Sequence, residues 1–171
     1  SEYTIYQRIK ETDDSVAGTS ISTKAFTQKA TVVPEGYKGI YTKEDLSQIR
    51  ENPDGKYILM NSLEFTDSDF SAGGDFNNDG KGWIPIGGYK NEFTGIFNGN
   101  GYYIDGLYIN QDINDYYGLF GINKGTIRNL GVTNCELTSI VEEYEESEFV
   151  KTSNHVGAVA GSNQGKIITC Y

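Results

Sequence analysis

The stretch Asp75-Phe76-Asn77-Asn78-Asp79-Gly80 carries oxygen-bearing side chains at alternate positions, then a glycine where the chain must turn. Oxygens from the first, third and fifth positions of such a loop can converge on one calcium ion. Asp75, Asn77 and Asp79 are therefore candidate metal ligands. The backbone oxygen of Lys81, and Asp67 or Asp69 from across the loop, could complete the set. The twelfth position is Ile86, where a calcium loop of this spacing has a bidentate Glu. A solvated Asp/Asn/Gly turn between two strands has the same composition, so both readings stay open.

A second group is aromatic. The chain has 13 Tyr, and Tyr102, Tyr103, Tyr108, Tyr116 and Tyr117 fall close together in sequence. Tyr combines an apolar face with a hydroxyl, a pairing that recurs in protein- and sugar-binding surfaces. The same residues could instead cover the outside of a strand-rich fold. Catalysis has little to draw on. His155 is the single histidine, and there is no His-Glu-x-x-His run. Cys135 and Cys170 do not make a disulfide framework. Asp105, Tyr108 and Arg128 are too mixed to argue a carboxylate pair. The expectation is a non-enzymatic chain.

Composition narrows the partners. A chain of 171 residues is long enough for one domain with a real core. Lys+Arg is 14 against 24 Asp+Glu, a net charge of −10, which is unsuited to gripping phosphate backbones. Nucleic acid is not an expected partner. No apolar run approaches the roughly 18 residues of a membrane span.

The elements that would hold these residues are read from glycines, caps and alternation. Only Gly18, Gly36, Gly39 and Gly55 lie in the first 72 residues, and the other 17 (21 − 4) lie between Gly73 and Gly165. Residues 1–35 read as an extended N-terminal segment and 36–171 as a turn-rich repetitive region. Thr42 followed by Asp45 has the capping-box spacing and predicts a short helix over 43–52, ended by Asn52-Pro53-Asp54-Gly55. Tyr57-Ile58-Leu59-Met60 reads as a strand.

The region also repeats. Phe97, Ile104, Leu107 and Ile109 recur 23 residues later as Phe120, Ile127, Leu130 and Val132. Phe120, Ile127 and Leu130 recur 40 residues later as Ala160, Ile167 and Cys170, and Gly121-x-Asn123-x-Gly125 as Gly161-x-Asn163-x-Gly165. Alternating apolar pairs such as Leu107-x-Ile109 imply strands with one buried face. A period near 23 with strand patterning predicts an all-β, right-handed parallel β-helix, a solenoid with the short helix capping its N-terminal end. The 40-residue step predicts an acidic insertion at about 138–154, where Glu142, Glu143, Glu145, Glu146 and Glu148 lie. The chain stops at Tyr171 within a repeat, so further repeats are expected to follow in the full-length protein.

Phe93-Thr94-Gly95-Ile96-Phe97-Asn98-Gly99-Asn100-Gly101-Tyr102-Tyr103-Ile104-Asp105-Gly106-Leu107 resembles the "FxGxFxGNGxxIxGL" run of bacterial cell-surface proteins. Gly118-Leu119-Phe120-Gly121 with Gly125-Thr126-Ile127-Arg128-Asn129-Leu130 resembles the GLUG repeat of the same proteins. Tyr41 to Leu63 and Trp83-Ile84-Pro85-Ile86-Gly87 are similar to what accompanies it. Ser62 stands where that family has Asp in an "NDL" triplet. The resemblance implies an adhesin-like, extracellular protein, secreted or wall-attached, acting as rigid spacer or display surface, with host protein or glycan as partner. Such segments also occur, without catalytic residues, in large zinc proteases that cleave immunoglobulin A. An accessory domain of a large secreted peptidase or polysaccharide-active enzyme is therefore the alternative.

Overall fold

The computed structural model describes residues 2–6, 22–26, 29–112, 116–140 and 155–171. Two strands, β1 (Glu2–Tyr6) and β2 (Ser22–Phe26), pair antiparallel. Then follow β3 (Lys38–Ile40), α1 (Lys43–Ser47), a 3-10 turn (Gln48–Glu51), β4 (Lys56–Leu59), β5 (Leu63–Glu64) and α2 (Asp67–Phe70). A long irregular stretch leads to β6 (Ile96–Asn98), β7 (Tyr103–Asp105), β8 (Tyr108–Asp112), β9 (Tyr116–Tyr117) and β10 (Phe120–Asn123). The chain continues through β11 (Thr126–Arg128), β12 (Gly131–Thr133) and β13 (Glu136–Ile140). It closes with β14 (His155–Val156), β15 (Ala160–Asn163) and β16 (Lys166–Ile168).

The expectation of a right-handed parallel β-helix is corrected by this arrangement. Among the described residues the strands fall into six small, separate sheets: one of five strands (β16-β11-β6-β4-β3), one of three (β12-β7-β5) and four of two. Apart from β1-β2 the pairing is parallel. The 23-residue repeat that suggested one stacking period is not the pairing step. Phe97 stands opposite Ile127, 30 residues on (127 − 97), and Ile104 opposite Val132, 28 on (132 − 104). Lys38 and Tyr57 are only 19 apart (57 − 38), whereas Tyr57 and Phe97 are 40 apart (97 − 57). Phe97 and Phe120 belong to different sheets. Their rings meet at 5.4 Å and 71°, edge to face, across the interior. The 40-residue step does mark true neighbours: Phe120 pairs with Ala160 and Ile127 with Ile167.

The predicted helix forms for the expected reason. Thr42 Oγ1 accepts from the Asp45 amide at 3.1 Å, and the Asp45 carboxylate accepts from the Thr42 amide at 3.1 Å. Two amides that a helix start leaves open are thereby satisfied. The α-helix stops at Ser47 and tightens into the 3-10 turn, with Leu46 and Ile49 fully buried. One apolar core collects residues from every parallel sheet, among them Leu59, Phe97, Ile104, Ile109, Phe120 and Ile127. The acidic insertion lies outside the described residues except for 138–140, which end β13. Of the expected extended N-terminal segment, only 2–6, 22–26 and 29–35 are described.

Candidate functional site

The Asp75 loop follows α2 and is pinned by its own residues. The Asn77 amide group donates to the Phe70 carbonyl at 2.5 Å, and its oxygen accepts from the Gly80 amide at 3.2 Å. Asn78, Asp79 and Gly80 all take left-handed φ values, 47°, 54° and 79°, and the chain doubles back through them. Phe76 anchors the loop, its ring 5.3 Å from Phe65 and 5.8 Å from Trp83. Asp75 and Asp79 point into solvent. Asp69 is committed elsewhere: its carboxylate accepts from the Thr66 amide at 2.7 Å and from Lys43 Nζ at 2.6 Å. Burial would push the Asp69 carboxyl up. The hydrogen bonds from Lys43 and Thr66, with the Lys43 charge, outweigh that and hold it below its ordinary range. Among the described residues no three His, Cys, Asp or Glu side chains gather as a metal site.

The five tyrosines do not share one surface setting. Lys29 Nζ lies 3.6 Å from the centre of the Tyr102 ring. Tyr103 donates its hydroxyl to Glu64 at 2.9 Å across β7 and β5, and that carboxylate pushes the phenol above its ordinary value. Tyr108 packs on Phe70 at 5.5 Å. The Tyr116 ring lies 4.8 Å from that of His155, tilted by 33°, and the two residues are partners in the β9–β14 pair. Tyr117 belongs to the core. Of the five, Tyr103 is the most open.

The other candidates are also spent on the fold. Asp105 accepts from Thr133 Oγ1 at 2.5 Å and from the Asn134 side chain at 2.7 Å. Arg128 donates to the Tyr37 hydroxyl at 3.2 Å. Cys135 and Cys170 are free thiols partly buried against the core, and burial, then the nearby Asp105, raises the Cys135 thiol.

Two features went unread in the sequence. Arg50 lies 4.2 Å over the fully buried Trp83 ring and donates to the Ile84 carbonyl at 2.8 Å and the Ser47 carbonyl at 3.1 Å. Burial lowers its guanidinium to about 10, which still leaves a cation at neutral pH. A shallow groove of about 410 Å³ also runs past Thr94, Lys124, Gln164 and Lys166, floored by Gly95 and Gly125. Lys124 there is paired with Glu92 at 3.0 Å. Lys124-Gly125 and Gly165-Lys166 line the groove, but the same pairs occur away from it, as at Lys38-Gly39 and Lys81-Gly82, so they do not mark it in the sequence. Nothing in the spacing of Arg50 and Trp83 pointed to their stacking.

A curated relative from Evansella cellulosilytica, named "Putative Gly-rich membrane protein", is 41% identical over 90 residues, 52% of this chain. The chain spans 9% of that relative's length. No family model matches the chain, and no solved structure matches it. Among the described residues no helix is long and apolar enough to cross a membrane, which does not address spanning by strands.

Proposed function

We propose that this chain is a non-enzymatic extracellular module of a bacterial surface protein, adhesin-like and similar to GLUG-repeat proteins. It serves as a rigid spacer or display surface that presents its exterior to host protein or glycan. The observation that carries the reading is where the polar side chains go. Asp45, Asp69, Asn77, Asn100 and Trp83 all bond the chain's own backbone. Residue types that could do chemistry are holding irregular backbone in place, as in a scaffold. The relative from Evansella cellulosilytica is named a Gly-rich membrane protein, which fits a cell-envelope setting. A glycan and host-protein array probed with the purified chain tests the reading. Saturable binding to one class supports it. Turnover of a peptide or polysaccharide substrate by the purified chain sinks it.

A further inference from the structure

The five-stranded sheet turns one side to the core and the other outward. Tyr57, Phe97 and Ile127 form its inward column, so the residues before and after them in each strand face the opposite way. One outward row runs from Lys56 through Ile96 and Thr126 to Lys166, and the next places Arg128 beside Asn98. These two rows hold three cations and no Asp or Glu, in a chain of net charge −10. Lys56 and Arg128 stand on β4 and β11, which are each paired on both sides, so the cations lie on the flank of the sheet and not at an edge.

These cations are unspent. Lys43 and Lys124 have carboxylate partners in Asp69 and Glu92. Lys56 and Lys166 are exposed and have none among the described residues. The Arg128 guanidinium makes one hydrogen bond, to the Tyr37 hydroxyl at 3.2 Å, and its Nε is enclosed with no acceptor. A guanidinium carries several N–H donors and keeps its charge in proteins. An anion drawn against it would offset the cost of that enclosed donor.

The first row is also one wall of the groove of about 410 Å³. Ile96, Thr126 and Lys166 stand on one side of the glycine floor, with Thr94, Lys124 and Gln164 on the other. The side chains of Thr94, Thr126 and Gln164 have no partner among the described residues. No Asp or Glu lines the groove; Glu92, which borders it, is held by Lys124. The main chain there is already satisfied, Ile96 donating to Gly55, Thr126 to Gly95 and Lys166 to Gly125. A peptide strand therefore finds no backbone to pair with.

We propose that this face and its groove bind an acidic glycan, a chain of sugars carrying carboxylates. The carboxylates meet Arg128, Lys56 and Lys166, and the sugar hydroxyls pair with Thr94, Thr126 and Gln164. Arg128 is two strands from Lys56 and one from Lys166, about 10 and 5 Å at the usual strand spacing. Charges spaced by sugar rings suit that separation. A nucleic acid carries its charge more densely and meets the repulsion of the acidic chain. The inference rests on the display-surface reading and narrows it to one ligand class on one face.

The test titrates a fluorescently labelled tetramer of galacturonic acid with the full chain. It should bind saturably at low salt and more weakly as salt rises. The galactose tetramer, which lacks the carboxylates, should bind at least about tenfold more weakly. Lys56→Gln combined with Lys166→Gln, at two exposed positions, should weaken galacturonate binding about fivefold without moving the melting temperature. Arg128→Gln should weaken it about tenfold. Absence of saturable binding, equal binding of the galactose tetramer, or binding unchanged in the double lysine variant overturns the proposal. So does tighter binding of a poly-glutamate peptide or of single-stranded DNA, which would give the face to another polyanion. The two readings fail separately: a chain that binds other array ligands but not galacturonate loses this site and keeps its display role.

Discussion

Ile127 sits between Phe97 and Ile167 in three successive parallel strands, opposite both, and is fully buried where Ile167 is 37% exposed. Ile127 stands on a strand paired on both sides and Ile167 on the edge strand, and their exposures differ accordingly. Ile127→Ala should cost about 2–5 kcal/mol, a lost side chain plus the cavity it leaves. Ile167→Ala should cost about 1 kcal/mol or less. Urea unfolding read by the fluorescence of Trp83, the single tryptophan, measures both. Equal costs would place Ile127 outside the core.

The contrast also shows what the sequence could reveal. Capping chemistry is local, so Thr42 and Asp45 announced their helix within four residues. The 40-residue repeat was legible because it conserves a bond set, Asn to Asn and Ile beside Ile. The 23-residue repeat misled because Phe97 and Phe120 are both interior, yet they face one another from different sheets. Periodicity tells which residues are buried and not which sheet buries them. The candidate ligands Asp75, Asn77 and Asp79 were legible as a turn. Only the structure shows the Asn77 side chain bonded to Phe70 and Gly80.

Asn77 therefore predicts a result for the metal question. Its side chain ties the loop to α2, so Asn77→Ala should destabilise by about 1–2 kcal/mol whether or not calcium is present. The melting temperature of the parent chain should be the same in chelator and in calcium. A rise with calcium that Asp75→Ala erases would show an ion held by the folded state and overturn this account of the loop.

Asp69 predicts a pH dependence. Its carboxyl lies below the ordinary value of 3.8 in the folded chain, because Lys43 and Thr66 favour the charged form over the opposing effect of burial. A lowered carboxylate contributes stability that is present above the unfolded value and is lost as pH falls through the folded one. Stability should therefore decline as pH drops from above 3.8 to below it. Asp69→Asn should make that decline shallower, and the stability difference between parent and variant should narrow in acid. Urea titrations at a series of pH values measure it. Parallel curves for parent and variant would remove Asp69 as the cause.

Thr169 predicts a gain. It holds φ at 53°, a left-handed conformation that a β-branched side chain adopts only under strain, at a cost on the order of 1–3 kcal/mol. Forty residues earlier the corresponding residue is Asn129, also at 53°, and Asn tolerates this region. Asn129 further donates its side chain to Asn98 at 3.2 Å. Thr169 is exposed and has no such bond among the described residues. Thr169→Asn should thus remove strain and lose nothing, stabilising the chain by about 1 kcal/mol. The reverse exchange, Asn129→Thr, gains the strain and loses the bond, so it should cost more than the first exchange gains. Urea midpoints of the two variants and the parent decide the matter. A Thr169→Asn chain no more stable than the parent would mean that the turn after β16 carries no strain for Asn to relieve.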